Sequence, residues 1–133
     1  MSVAEHEAAI LDLDGTVYLG DKLIPGAGET VQLLREEVGE VLFLTNKAIA
    51  RRGDYSEKLR RLGIDVERSD VVNSGWVTAQ YVSERFPSAA AFVVGEGPLL
   101  EEFREAGVTT VTETPGDIVV ASMDRHFDYD TLE

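Results

Sequence analysis

The chain has 133 residues, enough for one ordinary domain or a piece of a larger one, and its 44% hydrophobic content can build a core. It has no cysteine and only two histidines, His6 and His126, which excludes disulfides and thiolate zinc sites and argues against a histidine metal centre. A formal net charge of −13 argues against nucleic-acid binding, which wants clustered Lys and Arg.

No apolar run approaches the ~20 residues of a membrane span, and the N-terminus lacks the basic and apolar regions of a signal peptide. The expectation is a soluble, cytoplasmic protein with no membrane partner. The lysines are Lys22, Lys47 and Lys58, and the other basic residues are Arg. Abundant Asp and Glu with few Lys resemble the surface of a protein from a high-salt cytoplasm, where charge keeps the chain soluble and salt screens its self-repulsion. A plain acidic cytosolic protein is the alternative.

Ala8–Leu11 opens the chain's organisation. It is continuously apolar, the pattern of a buried strand, and it ends in Asp12-Leu13-Asp14-Gly15-Thr16. Thr16–Pro25 is short and turn-rich and reads as a loop-and-hairpin insertion over the sheet's C-terminal edge, where open α/β sheets bind ligands. Glu29–Val38 carries a helical stripe of Val31, Leu34 and Val38, with Gly39 as its stop. Val41–Leu44 is a second strand, followed by Thr45 and Asn46. Tyr55, Leu59 and Leu62 predict a second helix before Gly63.

Val71–Val72 is the third strand, and Ser74 is placed to cap a helix through Trp76, Val77 and Tyr81 to Phe86, stopped by Pro87. Ala91–Val94, a helix over Leu99–Ala106 with Leu100, Phe103 and Ala106 on one face, Val108–Val111 and Ile118–Ala121 continue the alternation. Strand–helix alternation implies an α/β fold with a mainly parallel sheet. A composition change near Pro87-Ser88 marks a boundary between residues 1–87 and 88–133. A further helix begins at Thr131, so the chain ends as an element starts.

Asp12 and Asp14 lie two apart on an extended chain, so their carboxylates point the same way. Two converging acids repel and lose solvation, and such a pair calls for a cation, a phosphate site or a proton. As chemistry, Asp12 would attack a phosphoryl group and form an aspartyl-phosphate. Asp14 would protonate the leaving oxygen and then deprotonate water. A bound Mg2+ would offset the repulsion, and Gly15 would let the backbone turn sharply with amides toward phosphate. A calcium loop of the helix–loop–helix type fails, with Val17 at the glycine position and Leu23 at the bidentate Glu position. Thr45 and Asn46 offer a hydroxyl and an amide to phosphate oxygens without adding negative charge, although such a pair is also common in turns and caps.

These motifs, with Ile24-Pro25-Gly26-Ala27, Phe43-Leu44-Thr45-Asn46, Lys58-Leu59 through Leu62-Gly63-Ile64, Gly95-Glu96-Gly97 and Met123-Asp124-Arg125-His126-Phe127-Asp128-Tyr129, resemble the haloacid dehalogenase-like superfamily in its nitrophenylphosphatase and NagD-like sugar-phosphatase branch. The resemblance covers nearly the whole chain. It implies a Rossmann-like core, of which residues 1–87 would be the N-terminal part, with an α/β cap beginning at 88–133. It also implies Mg2+-dependent hydrolysis of small phosphate monoesters. Asp12 would be nucleophile and metal ligand. Asp14 would be general acid/base and would give its backbone carbonyl to the metal. Gly15, Thr45 and Asn46 would hold phosphate. An acid at the second Asp separates phosphatases from the superfamily's dehalogenases and transport ATPases.

Lys47 stands where the branch commonly has a second Asn, and a solvent-facing lysine is the expectation there. The family's later lysine and acidic metal cluster lie beyond position 133, so this chain alone is expected to be weakly active or inactive. A non-catalytic module working with a partner chain and a phosphotransferase of mutase type are the alternatives. Arg51-Arg52 could attract phosphate but reads rather as surface charge. His126 beside Asp124 and Arg125 could line a cap hinge or substrate entry or sit in a surface loop. His6 reads as a surface residue, and Trp76 as a packing residue. Gly95-Glu96-Gly97 lacks the third glycine of a dinucleotide site, with Leu100 in its place. The sequence does not fix the oligomeric state; a homodimer is compatible with it.

Overall fold

A computed structural model describes residues 5–113 and 115–132. The chain divides into two compact units, Met1–Thr45 with Arg52–Val72 and Asn46–Arg51 with Asn73–Glu133.

In the first unit β1 (Ala8–Asp12) pairs in parallel with β4 (Glu40–Thr45), in a register running from Ala8 opposite Glu40 to Asp12 opposite Leu44. Between them come a two-residue antiparallel hairpin, β2 (Tyr18–Leu19) and β3 (Lys22–Leu23), and the helix α1 (Ala27–Val38). The hairpin falls within the turn-rich stretch, as its composition predicts. Helix α1 buries Ala27, Val31 and Val38 and stops at Gly39, whose N–H donates to the Arg35 carbonyl at 3.2 Å. Helix α2 (Arg52–Arg61) and a 3-10 turn at Arg68–Asp70 lead to β5 (Val71–Asn73), which lies beside β4 in the sheet order β1-β4-β5. Val41 and Phe43 on β4, Leu59 on α2, and Ile64, Val66 and Val71 make up much of the core with Leu13 and Val31. Each such side chain contributes ~1.5–3 kcal/mol by leaving water.

The continuously apolar β1 was expected to be buried, and it is not. Ala8, Ile10 and Asp12 are exposed while Ala9 and Leu11 are half-buried, and Ile10 reaches 64% exposure. Apolar content alone does not distinguish a strand covered on both faces from an outer strand covered on one. Among the described residues β1 is an outer strand, and the exposed face is the one Asp12 shares.

In the second unit α3 (Ser74–Arg85) precedes a sheet of order β7-β6-β8, formed by β6 (Ala90–Val94), β7 (Thr109–Val111) and β8 (Ile118–Ala121), with both neighbours parallel to β6. Helix α4 (Gly97–Glu105) makes the crossover from β6 to β7. Ala48, Ala79, Val82, Ala91, Leu99, Phe103 and Val108 form its core, with Val93, Ala106, Ile118 and Val120 packed against them. The short α5 (Tyr129–Leu132) closes the chain, with Asp128 accepting from the Thr131 N–H at 3.0 Å.

Two expectations need correction here. The cap of α3 is Asn73, whose Oδ1 accepts the Trp76 N–H at 2.9 Å, and Ser74 is the first helical residue. Two cap-competent side chains stand in succession, and the sequence does not say which is chosen. The buried residues of α4 are Leu99, Glu102 and Phe103, one step off the stripe of Leu100, Phe103 and Ala106. The step places a carboxylate, Glu102, at 2% exposure.

Candidate active site

The first unit places Asp12 at the last position of β1 and Asp14 just beyond it, on either side of a wholly buried Leu13. Leu13 anchors the loop from both ends. Its side chain lies in the core, and its carbonyl accepts the amides of Thr16, Val17 and Tyr18 at 3.3, 2.9 and 3.2 Å. Gly15 has φ +85°, a conformation that strains any side-chain-bearing residue, although a Cβ there would meet nothing within 4 Å. Its N–H donates to the Tyr18 carbonyl at 2.8 Å. The Gly15 N–H is thus engaged within the loop, and its left-handed backbone makes the turn.

Both carboxylates act on Tyr18, 1% exposed. Burial pushes the Tyr18 hydroxyl well above the usual phenol range, and the charges of Asp14, Tyr55 and Asp12 push it further in that order. Tyr55, at 6% exposure, is pushed up to about 12, first by burial and then by Asp14, while a side-chain hydrogen bond with Thr45 acts the other way. Both tyrosines are neutral at physiological pH, and the charge of Asp14 acts on both hydroxyls. Lys58 Nζ lies 3.9 Å from the Tyr18 ring centroid, over its face, and 3.8 Å from Asp21 Oδ1. This cation sits over an aromatic face within the same unit as the acids.

Thr45 ends β4 at 2% exposure, and because β1 and β4 are parallel it lies at the same C-terminal edge as Asp12. The structure thus brings Asp12, Asp14 and Thr45 into one unit. Asn46 is exposed and belongs to the second unit, where its carbonyl accepts the Ser74 hydroxyl at 2.7 Å. Lys47, expected in solvent, is half-buried. Arg51 is not simple surface charge: its guanidinium is hydrogen-bonded to Glu101 and Glu105 of α4 and lies 3.8 Å from Glu102.

Tyr18 and Tyr55 are the neighbours that sequence reasoning missed. In the sequence Tyr55 reads as an apolar stripe residue. A buried tyrosine needs a partner for its hydroxyl, and that requirement is the signal that a polar site lies beside the stripe. A cleft of about 170 Å3 lined by Leu11, Thr16, Val17, Ile24, Pro25 and Thr30, among others, includes neither carboxylate.

Among the described residues no three His, Cys, Asp or Glu side chains gather as a metal cluster. The pair Asp12 and Asp14 fits a different donor set. Mg2+ commonly takes one or two carboxylates and completes its octahedron with water and phosphate oxygens. No helix among the described residues is long and apolar enough to cross a membrane.

A family model described as haloacid dehalogenase-like hydrolase matches residues 9–109. The chain is 33% identical over 128 residues to the acid sugar phosphatase of Staphylococcus aureus, which covers 96% of this chain and 49% of that protein. The chain therefore spans about half the length of the curated relatives it matches. Among solved structures, 4-nitrophenylphosphatase from Thermotoga maritima superposes with a TM-score of 0.89 at 36% identity, over 98% of this chain and 49% of that one. Glycerol phosphate phosphatase from Mycobacterium tuberculosis, in complex with magnesium, superposes with a TM-score of 0.85 at 28% identity, over 98% of this chain and 40% of that one.

Proposed function

This chain belongs to the haloacid dehalogenase-like hydrolase family, and on that premise we propose that the protein carrying it is a cytoplasmic, Mg2+-dependent phosphatase of small phosphate monoesters. The observation that carries the reading is the pair Asp12 and Asp14 around buried Leu13, at the same sheet edge as Thr45. Ligands of open α/β sheets bind outside the carboxyl ends of the strands. The acid sugar phosphatase and the nitrophenylphosphatase named above support a sugar phosphate or aryl phosphate as substrate class.

A carboxylate oxygen of Asp12 attacks phosphorus, and the ester P–O bond breaks. The leaving oxygen takes its proton from Asp14. Asp14 then removes a proton from water, which attacks the same phosphorus, releases phosphate and restores the Asp12 carboxylate. The Thr45 hydroxyl and the Asn46 amide hold the phosphoryl oxygens without adding charge. Asp12 and the backbone carbonyl of Asp14 would hold Mg2+, which supplies positive charge against the carboxylates and the phosphoryl group.

The test uses the full-length protein. With Mg2+ it releases nitrophenolate from nitrophenyl phosphate, chelation of the metal stops release, and Asp12→Asn lowers kcat by about a thousandfold or more. Full activity in that variant would remove Asp12 as nucleophile and the proposed mechanism with it.

A further inference from the structure

The chain from Asn46 to Arg51 contains no helix or strand, yet it is tied down along its whole length. Asn46 stands one residue past the end of β4, so its carbonyl has left the strand ladder and needs another donor. The Ser74 hydroxyl supplies one at 2.7 Å. Four residues on, the Ala50 carbonyl accepts from Asn73 Nδ2 at 2.9 Å. Between these two points Ala48, 3% exposed, lies against Gly75, where a Cβ would come 3.2 Å from the Ala48 Cβ. Arg51 closes the segment on α4 through Glu101 and Glu105. Asn73, Ser74 and Gly75 thus form one cradle, and the first turn of α3 holds it in place: Trp76 N–H is capped by Asn73, and the Thr78 hydroxyl donates to the Ser74 carbonyl at 2.7 Å.

We propose that Ser74 is a positioning residue for phosphate binding, fixing the Asn46 peptide so that the Asn46 side chain is aimed at the phosphoryl oxygens. The inference rests on the phosphatase reading and extends it to a residue that touches no substrate. Asn46 has an exposed side chain, so packing does not select its direction, and its backbone must do so. A hydroxyl bond to the carbonyl of the same residue restricts rotation of the peptide that follows it. Misplacing a binding group by about 1 Å can cost up to ~100-fold in rate.

The structure contains its own control. Ser83, on the same helix, donates to the Ala106 carbonyl at the same 2.7 Å. In the full-length protein Ser74→Ala lowers kcat/KM for nitrophenyl phosphate about tenfold and weakens competitive inhibition by inorganic phosphate to match, and Ser74→Thr restores most of both. Ser83→Ala loses a bond of the same kind and leaves kcat/KM and phosphate inhibition unchanged, while both Ala variants shift the melting temperature alike. Wild-type kinetics in Ser74→Ala would overturn the inference and leave the phosphatase reading standing. Equal kinetic losses in Ser74→Ala and Ser83→Ala would also overturn it, by reducing the effect to loss of stability. A wild-type protein that neither hydrolyses phosphate esters nor binds phosphate would remove the reading and the inference together.

Discussion

The loop after β1 and the segment after β4 leave parallel neighbouring strands at the same edge, yet they are held by different means. Residues 13–18 are fixed by their own backbone: the Leu13 carbonyl takes three amides, and the Gly15 amide reaches the Tyr18 carbonyl. Residues 46–51 are fixed by side chains from far along the chain: Ser74 is 28 residues from Asn46, Asn73 is 23 from Ala50, and Glu101 is 50 from Arg51. A self-bonded loop takes its shape once its strand end is set. A segment tied from outside has a shape only when α3 and α4 are packed, so its precision depends on residues that never approach a substrate.

Asn73→Asp is the sharpest way to break the second kind of tie. Asn73 is fully buried, with Oδ1 accepting from Trp76 N–H while Nδ2 donates to the Ala50 carbonyl. Aspartate keeps the acceptor, so the helix cap survives. It replaces the donor with an oxygen facing a carbonyl, and it brings a charge into a fully buried site. The cost is about 3 kcal/mol in urea unfolding of the protein. Faster amide exchange follows over residues 48–51. A smaller loss than the glycine variant below would reverse the comparison.

Gly15→Ala tests the first kind. There is room for the methyl group, so the expected loss of ~1–2 kcal/mol comes from φ +85° alone. Gly15→Asn costs less, because Asn tolerates the left-handed region better. A larger loss for Asn than for Ala would mean that space, not backbone conformation, sets the limit at this position.

The same contrast explains what the sequence made legible. The strands, the hairpin, the Gly39 stop and the Asp12-to-Thr16 turn follow from patterns a few residues long, and each was readable. The exposure of Ile10 was not, because a continuous apolar run says nothing about how many faces are covered. Nor was the choice of Asn73 over Ser74 as cap, because the Asn73 amide also answers the Ala50 carbonyl, a partner that only the folded chain brings near. Arg51 looked like surface charge because its acids come fifty residues later. Around the site, Asp12, Asp14 and Thr45 stood out as polar residues ending apolar strands, whereas Tyr18 and Tyr55 were hidden by their apolar rings.

Glu96 and Arg125 supply a third remote tie, one that pH can release. Arg125 Nε donates to Glu96 Oε1 and Nη2 to Oε2, both at 2.7 Å, and the Arg125 backbone N–H adds a third bond at 3.1 Å. The guanidinium bonds first, then the backbone bond and the charge of Arg125, hold the Glu96 carboxyl down at about 2, against an ordinary value of 4.5. A carboxyl depressed in the folded state stabilises above its unfolded pKa, and that contribution is lost as pH falls through the folded value. Glu96→Gln therefore lowers the unfolding midpoint at pH 7 by the smallest margin of the three. The gap to wild type holds down to about pH 5 and closes between 4.5 and 2. A gap unchanged at pH 2 would mean that the glutamate contributes by its shape and not by its charge. The loop after β8 would then be held like residues 13–18, by geometry that no titration disturbs.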